Sequence, residues 1–451
     1  MPRGCVFLTS DITNMSRSTN AVELIRDSTA IPPCCEHGPA LLFRRIGTES
    51  KNDGRSFYAC SASRDRKKCR MFLWEDEASR SLNSKTWETV SRRVLPEASH
   101  PKLYKRYLAL SRYPASQRIF CCQKLILQSE MKQHKSHSAR VQITDAALRR
   151  PSHIINVDTS NTTKAQYFFR HDCVRFVTDL LRSRKYRHVV CIGTPTIHEH
   201  LREHCDDVDS LLLDIEQAYE CFYSEDEFCW YNMFNHFFFR GSRAETALNR
   251  RLQEATSCAV LVDPPFGGRI DAIAFTLEKI RATARDPSAL NIFLFFPYFN
   301  EKQICENMPT LRMLDYKVDY ENHADFNETR AKGSPVRIFT DVPLSCIPLP
   351  SESYRYCEKC TRWVAMCNRH CDICGDCTAK DGGQYKHCNS CGSCVKQSHK
   401  HCDTCGSCRP EQHNCTASVL ECFRCKKRGH KSKQCPEKSE GTPEMKKKKK
   451  Q

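Results

Sequence analysis

No apolar run in the sequence approaches the ~18 residues that a membrane span needs. The longest lies near IFLFF, Ile292 to Phe296, and reads as a buried strand. No membrane partner is therefore expected. The start MPRGCVFLTSDITN holds only a four-residue apolar patch, so no secretory signal peptide is expected either. Acidic residues are in deficit: 53 Asp+Glu against 70 Lys+Arg leave a formal charge of +17. That balance favours a polyanionic partner, nucleic acid foremost. Aliphatic residues are scarce across 350–436, too scarce for that stretch to build an apolar core.

Cysteine, by contrast, is abundant, with 31 in 451 residues. Without a signal sequence, and with Cys-x2-Cys spacing and interleaved His, metal binding is a better reading than disulfides. A reducing compartment follows: cytosol, nucleus or nucleolus. HCDICGDC (His370 to Cys377), HCNSCGSC (His387 to Cys394) and HCDTCGSC (His401 to Cys408) repeat one pattern, His-Cys-x2-Cys-Gly-x-Cys. With Cys357 and Cys360 of CEKC, and Cys367, they offer ligands for several zinc ions: His370, Cys371, Cys374, Cys377, His387, Cys388, Cys391, Cys394, His401, Cys402, Cys405 and Cys408. Which ligand joins which ion is open at this level. Structural zinc supplies roughly 10–16 kcal/mol in small modules, which would offset the missing core.

Farther on, Cys422-x2-Cys425-x4-His430-x4-Cys435 has the spacing of a zinc knuckle. Phe423 beside Lys426, Lys427 and Arg428 can stack an unpaired base and neutralise phosphate. A knuckle that docks a protein is the alternative. Near the start, Cys35-x-His37, GRSFYAC ending at Cys60, and Cys69 followed by RMFLWEDE resemble a GRF-type zinc finger. Cys34 competes with Cys35 as ligand, and the Cys-x-His spacing favours Cys35. Fingers of this family bind single-stranded nucleic acid. Arg44, Arg45, Arg55, Arg64, Arg66, Lys67 and Lys68 fit that role here, or form a solvated face. Cys121, Cys122, His134 and His137 are less clear. Adjacent cysteines cannot grip one ion in the usual Cys-x2-Cys turn, so this set reads either as a two-Cys/two-His site or as a helix carrying surface histidines.

Between about 151 and 349 the pattern changes. HVVCIG, SLLLDIE, CAVLVD, NIFLFF, KVDYE and VRIFTDV alternate with amphipathic stretches, which predicts an α/β domain with a mostly parallel sheet. The first strand ends in a Gly turn at Gly193 and the second in Asp214, where an acid can bind a ribose diol. The fourth ends in Asp263-Pro264-Pro265-Phe266. Prolines cannot join a ladder, so the strand stops there. An acid, two rigid carbonyls and a ring suit an exocyclic amine. Asp263 and the Pro264 carbonyl can accept its two hydrogens, Pro265 stiffens the loop, Phe266 can stack on an extruded base, and Gly267 and Gly268 permit close approach.

This order resembles the S-adenosylmethionine-dependent methyltransferases that act on exocyclic amines. The whole chain, through AQYFFRHD, CIGTPTIHE, LLLDIE, YNMFNHFFF, DPPFGGR, the Cys/His cluster and the knuckle, resembles the CCHC-type zinc-finger methyltransferases that modify an adenine in large-subunit ribosomal RNA. The resemblance implies a Rossmann-like methyltransferase domain flanked by small zinc modules, with S-adenosylmethionine and several zinc ions as cofactors. It implies methylation of the adenine N6 amine, with the fingers forming one RNA-binding surface. It places Gln166, Tyr167, Phe168, Phe169, Gly193, Asp214 and Asp263 against the cofactor, and Asn232, Met233 and Phe234 beside the adenosine moiety or the target base. It departs from this chain at Cys121–Cys122, where a Cys-x2-Cys pair would stand. A non-catalytic RNA-binding scaffold, a methyltransferase for another RNA, or a DNA or protein-glutamine methyltransferase are the competing functions.

The expected boundaries are a leader over 1–31, the GRF finger over 32–77, a basic linker with the two-Cys/two-His set over 78–150, the methyltransferase domain over 151–349, the multi-zinc region over 350–416, the knuckle over 417–437 and a basic tail over 438–451. A monomer is expected, partnered by large-subunit ribosomal RNA and by RNA helicases or ribosome-biogenesis proteins. Lys446 to Lys450 suggest import to the nucleus, the substrate suggests the nucleolus, and the cytoplasm is a further compartment.

Overall fold

A computed structural model describes residues 21–26, 28–46, 52–63, 65–78, 86–134, 137–155, 167–322 and 334–413. The chain divides into two compact units, 1–313 with 317–342, and 314–316 with 343–451.

The first unit is built on an eight-stranded sheet. Its order across the sheet is Phe237–Phe238, Phe228–Asn232, Asp209–Asp214, His188–Ile192, Cys258–Val262, Leu290–Pro297, Val336–Thr340 and Arg312–Leu314. The five strands from Phe228–Asn232 to Leu290–Pro297 are parallel, and Phe237–Phe238 and Val336–Thr340 pair antiparallel at either side. The parallel strands are apolar on both faces. Val189 to Ile192 and Ala259 to Leu261 are fully buried, as strands covered by helices on both sides must be. Helices Pro195–His204 and Ile270–Thr283 follow two of these strands directly, and Ser242–Glu254 follows the antiparallel Phe237–Phe238. The mixed α/β expectation therefore holds. One expected strand does not form: KVDYE, 317–321, makes only an isolated bridge from Tyr320 to Phe169. The edge position is taken instead by Arg312–Leu314.

The chain order of the parallel strands reverses between His188–Ile192 and Cys258–Val262, which are neighbours in register. Such a reversal opens a crevice at the carboxyl ends of the two strands, where open α/β sheets bind ligands. Gly193 and Asp263 stand at those two ends, and the Asp263 amide donates to the Ile192 carbonyl at 3.0 Å.

A four-stranded antiparallel sheet, Ala21–Leu24, Leu41–Ile46, Ser56–Ala59 and Phe72–Trp74, packs on this domain. Its first strand lies within the stretch expected to be a leader. Leu24, Leu41, Phe43 and Phe57 share one apolar core with the large sheet. The expected linker is also structured. It forms helices Trp87–Val94 and His100–Leu110 and the hairpin Arg118–Cys121 with Lys124–Leu127. His100 Nε2 lies 2.8 Å from the Tyr223 carbonyl, which fixes the second helix to the large domain.

The second unit is a row of two-stranded hairpins: Tyr354–Cys357 with Arg362–Ala365, His370–Cys371 with Asp376–Cys377, Tyr385–Cys388 with Ser393–Lys396, and His399–Cys402 with Ser407–Pro410. Its small apolar cluster is Cys357, Val364 and Cys377. The buried Asp315 carboxylate accepts from the Ala365 amide at 2.8 Å and from Asn368 Nδ2 at 3.2 Å. Among the described residues, no helix is long and apolar enough to cross a membrane.

Candidate active site and metal centres

Asp263 leaves the end of a buried strand and enters a crevice walled by aromatic rings. Tyr320 Oη donates to Asp263 Oδ1 at 3.0 Å. The Tyr167 and Phe266 rings lie 6.1 Å apart and close to parallel, and both meet the Tyr320 ring edge-on. Phe169 packs behind, 5.2 Å from Tyr320. Burial in this apolar surround pushes the Asp263 carboxyl well above the usual carboxylate range, against the opposing effect of the Tyr320 hydrogen bond. Past Phe266 the chain turns tightly, with the Gly268 amide donating to the Pro265 carbonyl at 2.7 Å.

Gly193 faces Asp263 from the neighbouring strand. Its φ is +68°, and a Cβ there would lie 2.8 Å from the Asp263 carbonyl oxygen and 3.2 Å from Met233 Cε. Only glycine fits that turn without displacing backbone. Asp214 is buried at the end of the next strand, and its Oδ1 accepts from the Glu216 amide at 2.8 Å. Tyr167, Phe168 and Phe169 stand by the Asp263 end of the crevice, held where the Phe168 carbonyl accepts from the Glu321 amide at 2.8 Å. Gln166 lies outside the described residues.

Asn232, expected beside the adenosine moiety or the target base, makes its hydrogen bonds within the protein. It is buried and joins the finger to the large domain. Its Nδ2 donates to the His37 carbonyl at 2.8 Å and to Ser61 Oγ at 2.9 Å, while its Oδ1 accepts from the Phe234 amide at 3.0 Å. Two residues were missed at sequence level. Tyr320 sits in a stretch that read as a strand, and His413 follows the last repeat.

The finger brings Cys35, His37, Cys60 and Cys69 together, with all ligand atoms within 4.8 Å of one another. Cys34 lies outside the group, and its Sγ approaches the Pro32 carbonyl at 3.9 Å. Cys35 Sγ lies 3.8 Å from Cys60 Sγ, and His37 Nδ1 lies 3.5 Å from Cys60 Sγ. Zinc with Zn–S of about 2.3 Å and Zn–N of about 2.0 Å implies tetrahedral edges of roughly 3.5–3.8 Å, so the set fits that ion.

Cys121, Cys122, His134 and His137 also converge. The sequence objection is met by the backbone. Cys122 and Gln123 both take positive φ, +51° and +58°, in the hairpin turn. That conformation, uncommon for a residue with a Cβ, sets the exposed Cys122 thiol beside the buried Cys121 thiol at 3.6 Å. His134 Nδ1 lies 3.4 Å from Cys122 Sγ.

The repeats are interlaced. Cys357 and Cys360 group with His370 and Cys377; Cys371 and Cys374 with His387 and Cys394; Cys388 and Cys391 with His401 and Cys408. Each repeat thus gives its His and last Cys to one centre and its Cys-x2-Cys to the next. The pairing explains this: His370 and Cys377, His387 and Cys394, and His401 and Cys408 are directly opposite across their hairpins. Cys402 and Cys405 continue the series with His413, whose Nε2 lies 3.6 Å from Cys405 Sγ. Cys367 is exposed and stands outside the set of Cys357 and Cys360, which His370 and Cys377 complete. Cys422, Cys425, His430, Cys435 and the lysine tail lie outside the described residues.

The finger cations divide by position. Arg55 pairs with Asp76 at 2.8 Å and Glu77 at 3.0 Å on the outer face. Arg45 and Arg66 line a cleft of ≈ 570 Å³ between the finger sheet and the loop that follows Asp263. Arg64 lies outside the described residues.

A Gly turn, a strand-end acid and an acid-Pro-Pro-Phe loop at the reversal point of a parallel sheet, joined to Cys/His metal centres, define a zinc-finger methyltransferase. Residues 160–341 match the family described as probable N6-adenine methyltransferase, and residues 33–78 match the GRF zinc finger. The chain is 41% identical over 387 residues to the human rRNA N(6)-adenosine-methyltransferase ZCCHC4, spanning 81% of this chain and 75% of that one. The mouse protein of the same name is 40% identical over 390 residues, spanning 82% and 76%. The Xenopus laevis protein is 40% identical over 366 residues, spanning 77% and 75%. The chain belongs to the ZCCHC4 family of methyltransferases.

Proposed function

We propose that the protein methylates the exocyclic N6 amine of an adenosine in large-subunit ribosomal RNA, using S-adenosylmethionine. The observation that carries this reading is the placement of Asp263 and Pro264 at the crevice, one strand from the Gly193 turn, with Tyr320 holding the carboxylate. The relatives are named for N6-adenosine methylation of ribosomal RNA, which supports the reading at that level.

The residues present fit S-adenosylmethionine. Gly193, at φ +68°, makes the tight turn into helix Pro195–His204 that brings the helix start against the Asp263 strand end, and Asp214 offers a buried carboxylate for a ribose diol. When bound, this cofactor supplies an electrophilic methyl group. The rest is the work of the chain. Asp263 and the Pro264 carbonyl accept hydrogen bonds from the adenine amine, which turns the nitrogen lone pair out of conjugation. The carboxylate then takes the proton that the nitrogen sheds. Its raised pKa suits it to that role. Phe266 stacks on the extruded base, and the neighbouring rings exclude water.

The Cys/His groups hold zinc in this reading, and the fingers supply RNA contacts. Lys446 to Lys450 direct the protein to the nucleus, and ribosomal RNA retains it in the nucleolus. Removing residues 444–451 should reduce nuclear accumulation. The direct test of function is incubation of total RNA with purified protein and labelled cofactor. Label should map to N6-methyladenosine in large-subunit RNA, and Asp263→Ala should lose transfer while retaining cofactor binding by calorimetry. Label confined to another RNA species, or to protein, would overturn the substrate.

A further inference from the structure

The cleft beside the catalytic loop is a second site, next to the crevice that holds Asp263. One wall is the finger, where Phe43 and Phe57 form a buried floor and Phe72 is half-buried above them. The other wall is the stretch from Pro265 to Arg269, which directly continues the loop that carries Phe266. The ≈ 570 Å³ volume falls within the roughly 300–1,000 Å³ of ordinary ligand sites.

Its chemistry favours an acceptor-rich planar ligand. The Phe57 and Phe72 rings stack at 5.1 Å, and the Arg66 guanidinium lies 3.9 Å over the Phe72 ring. Arg45 lies 5.9 Å from the Phe57 ring. Arg269, also on the lining, pairs with Asp271 and lies 4.7 Å over the Phe43 ring of the floor. Among the described residues, Asp65 is the one acid on the lining, and its carboxylate accepts from the Lys67 amide at 2.9 Å. Rings flanked by guanidiniums stack an unpaired base and donate to its acceptors or to phosphate.

We propose that this cleft holds the nucleotide adjoining the target adenosine, with its base stacked on the Arg66 guanidinium where that lies over Phe72, and that these two residues set the sequence context of methylation. The occupant follows from continuity. The loop presents Phe266 to the catalytic crevice and Pro265, Gly267 and Gly268 to the cleft, so a strand whose target base lies at Phe266 places its neighbour in the cleft. This inference rests on the RNA-methyltransferase reading above and deepens it.

The test is a set of RNA oligonucleotides carrying the target adenosine, either intact or with an abasic nucleotide immediately before or after it. In the wild-type protein, one of the two abasic replacements should lower kcat/KM by about tenfold or more, the usual range for a lost base–ring stack. Phe72→Ala and Arg66→Ala should lower kcat/KM on intact RNA and abolish that abasic penalty, because the first removes the ring that supports the guanidinium and the second the guanidinium itself. Arg66 is exposed, so its substitution tests the proposal even if Phe72→Ala unsettles the finger. 4-Thiouridine at the sensitive position should also crosslink to the peptide holding residues 65–72. An abasic penalty of equal size in wild type and both variants would overturn the cleft assignment alone. No methylation of intact RNA by the wild type would overturn the functional reading, and the cleft assignment with it.

Discussion

Tyr320 Oη donates to Asp263 Oδ1 over 3.0 Å, between residues 57 positions apart in the chain. The rings of Tyr167 and Phe266 both lie edge-on to Tyr320, and Cys173 and Asp319 are further titratable groups acting on it. The ionised form of Asp263 is the one that can take the amine proton. Burial raises its pKa, so the ionised fraction falls as pH drops through a value above the ordinary carboxylate range. Turnover should therefore fall on the acid side at a higher pH than an exposed aspartate would give. The Tyr320 bond favours the ionised form. Tyr320→Phe should raise the pKa further and move the acid limb to higher pH, with cofactor affinity unchanged. Superimposable pH profiles would remove Tyr320 from this role.

Asn232 should matter for stability rather than for the base. Asn232→Ala takes the donor from Ser61 Oγ and leaves the His37 carbonyl only its longer 3.4 Å bond from Asn235 Nδ2, a loss of about 1–3 kcal/mol. The denaturation midpoint should fall, and RNA affinity should fall with it as the finger loosens. A wild-type midpoint with reduced turnover would return Asn232 to the substrate site.

The interlaced centres predict linked metal loss. Cys374→Ser removes one ligand from the group of Cys371, His387 and Cys394. The hairpin of His387 and Cys394 also orients Cys388 and Cys391 for the next centre, so both centres should weaken. Native mass spectrometry should show the loss of more than one zinc. Cys367→Ser should leave the zinc content unchanged, since Cys367 joins none of the five four-residue groups. Loss of a single zinc from Cys374→Ser would show that the centres fill independently.

The legible parts were those with local causes. Strand runs such as CAVLV show as continuous apolar stretches, and Gly193, Asp214 and Asp263 show as strand-end residues. Ligand types show as spacing. Ligand pairing did not show, because His370 and Cys371 are adjacent in sequence yet serve different centres. The bonds of Tyr320 and Asn232 did not show for a related reason. Their partners, Asp263 and His37, lie far away in the chain, and only the folded sheet and finger bring them together. A tell for His413 existed: each Cys-x2-Cys pair is completed by a His farther along, and the next after Cys405 is His413.

Gly193 connects the cofactor turn to the catalytic loop, so its substitution should disturb both. In Gly193→Ala the new Cβ would stand 2.8 Å from the Asp263 carbonyl oxygen, a backbone atom that cannot swing aside. The residue would also have to hold φ near +68°, which costs an L-residue about 1–2 kcal/mol. The strand ends must move apart, and the Asp263 amide must stretch or lose its bond to the Ile192 carbonyl. Two readouts should change together: weaker S-adenosylmethionine binding by calorimetry, and lower kcat at saturating cofactor, because Asp263 and Pro264 no longer meet the amine squarely. Met233→Ala supplies the contrast. It relieves the 3.2 Å contact with Met233 Cε and leaves the backbone clash in place, so it should not rescue Gly193→Ala. Full recovery in the double variant would show that the side-chain contact, not the Asp263 backbone, limits this turn.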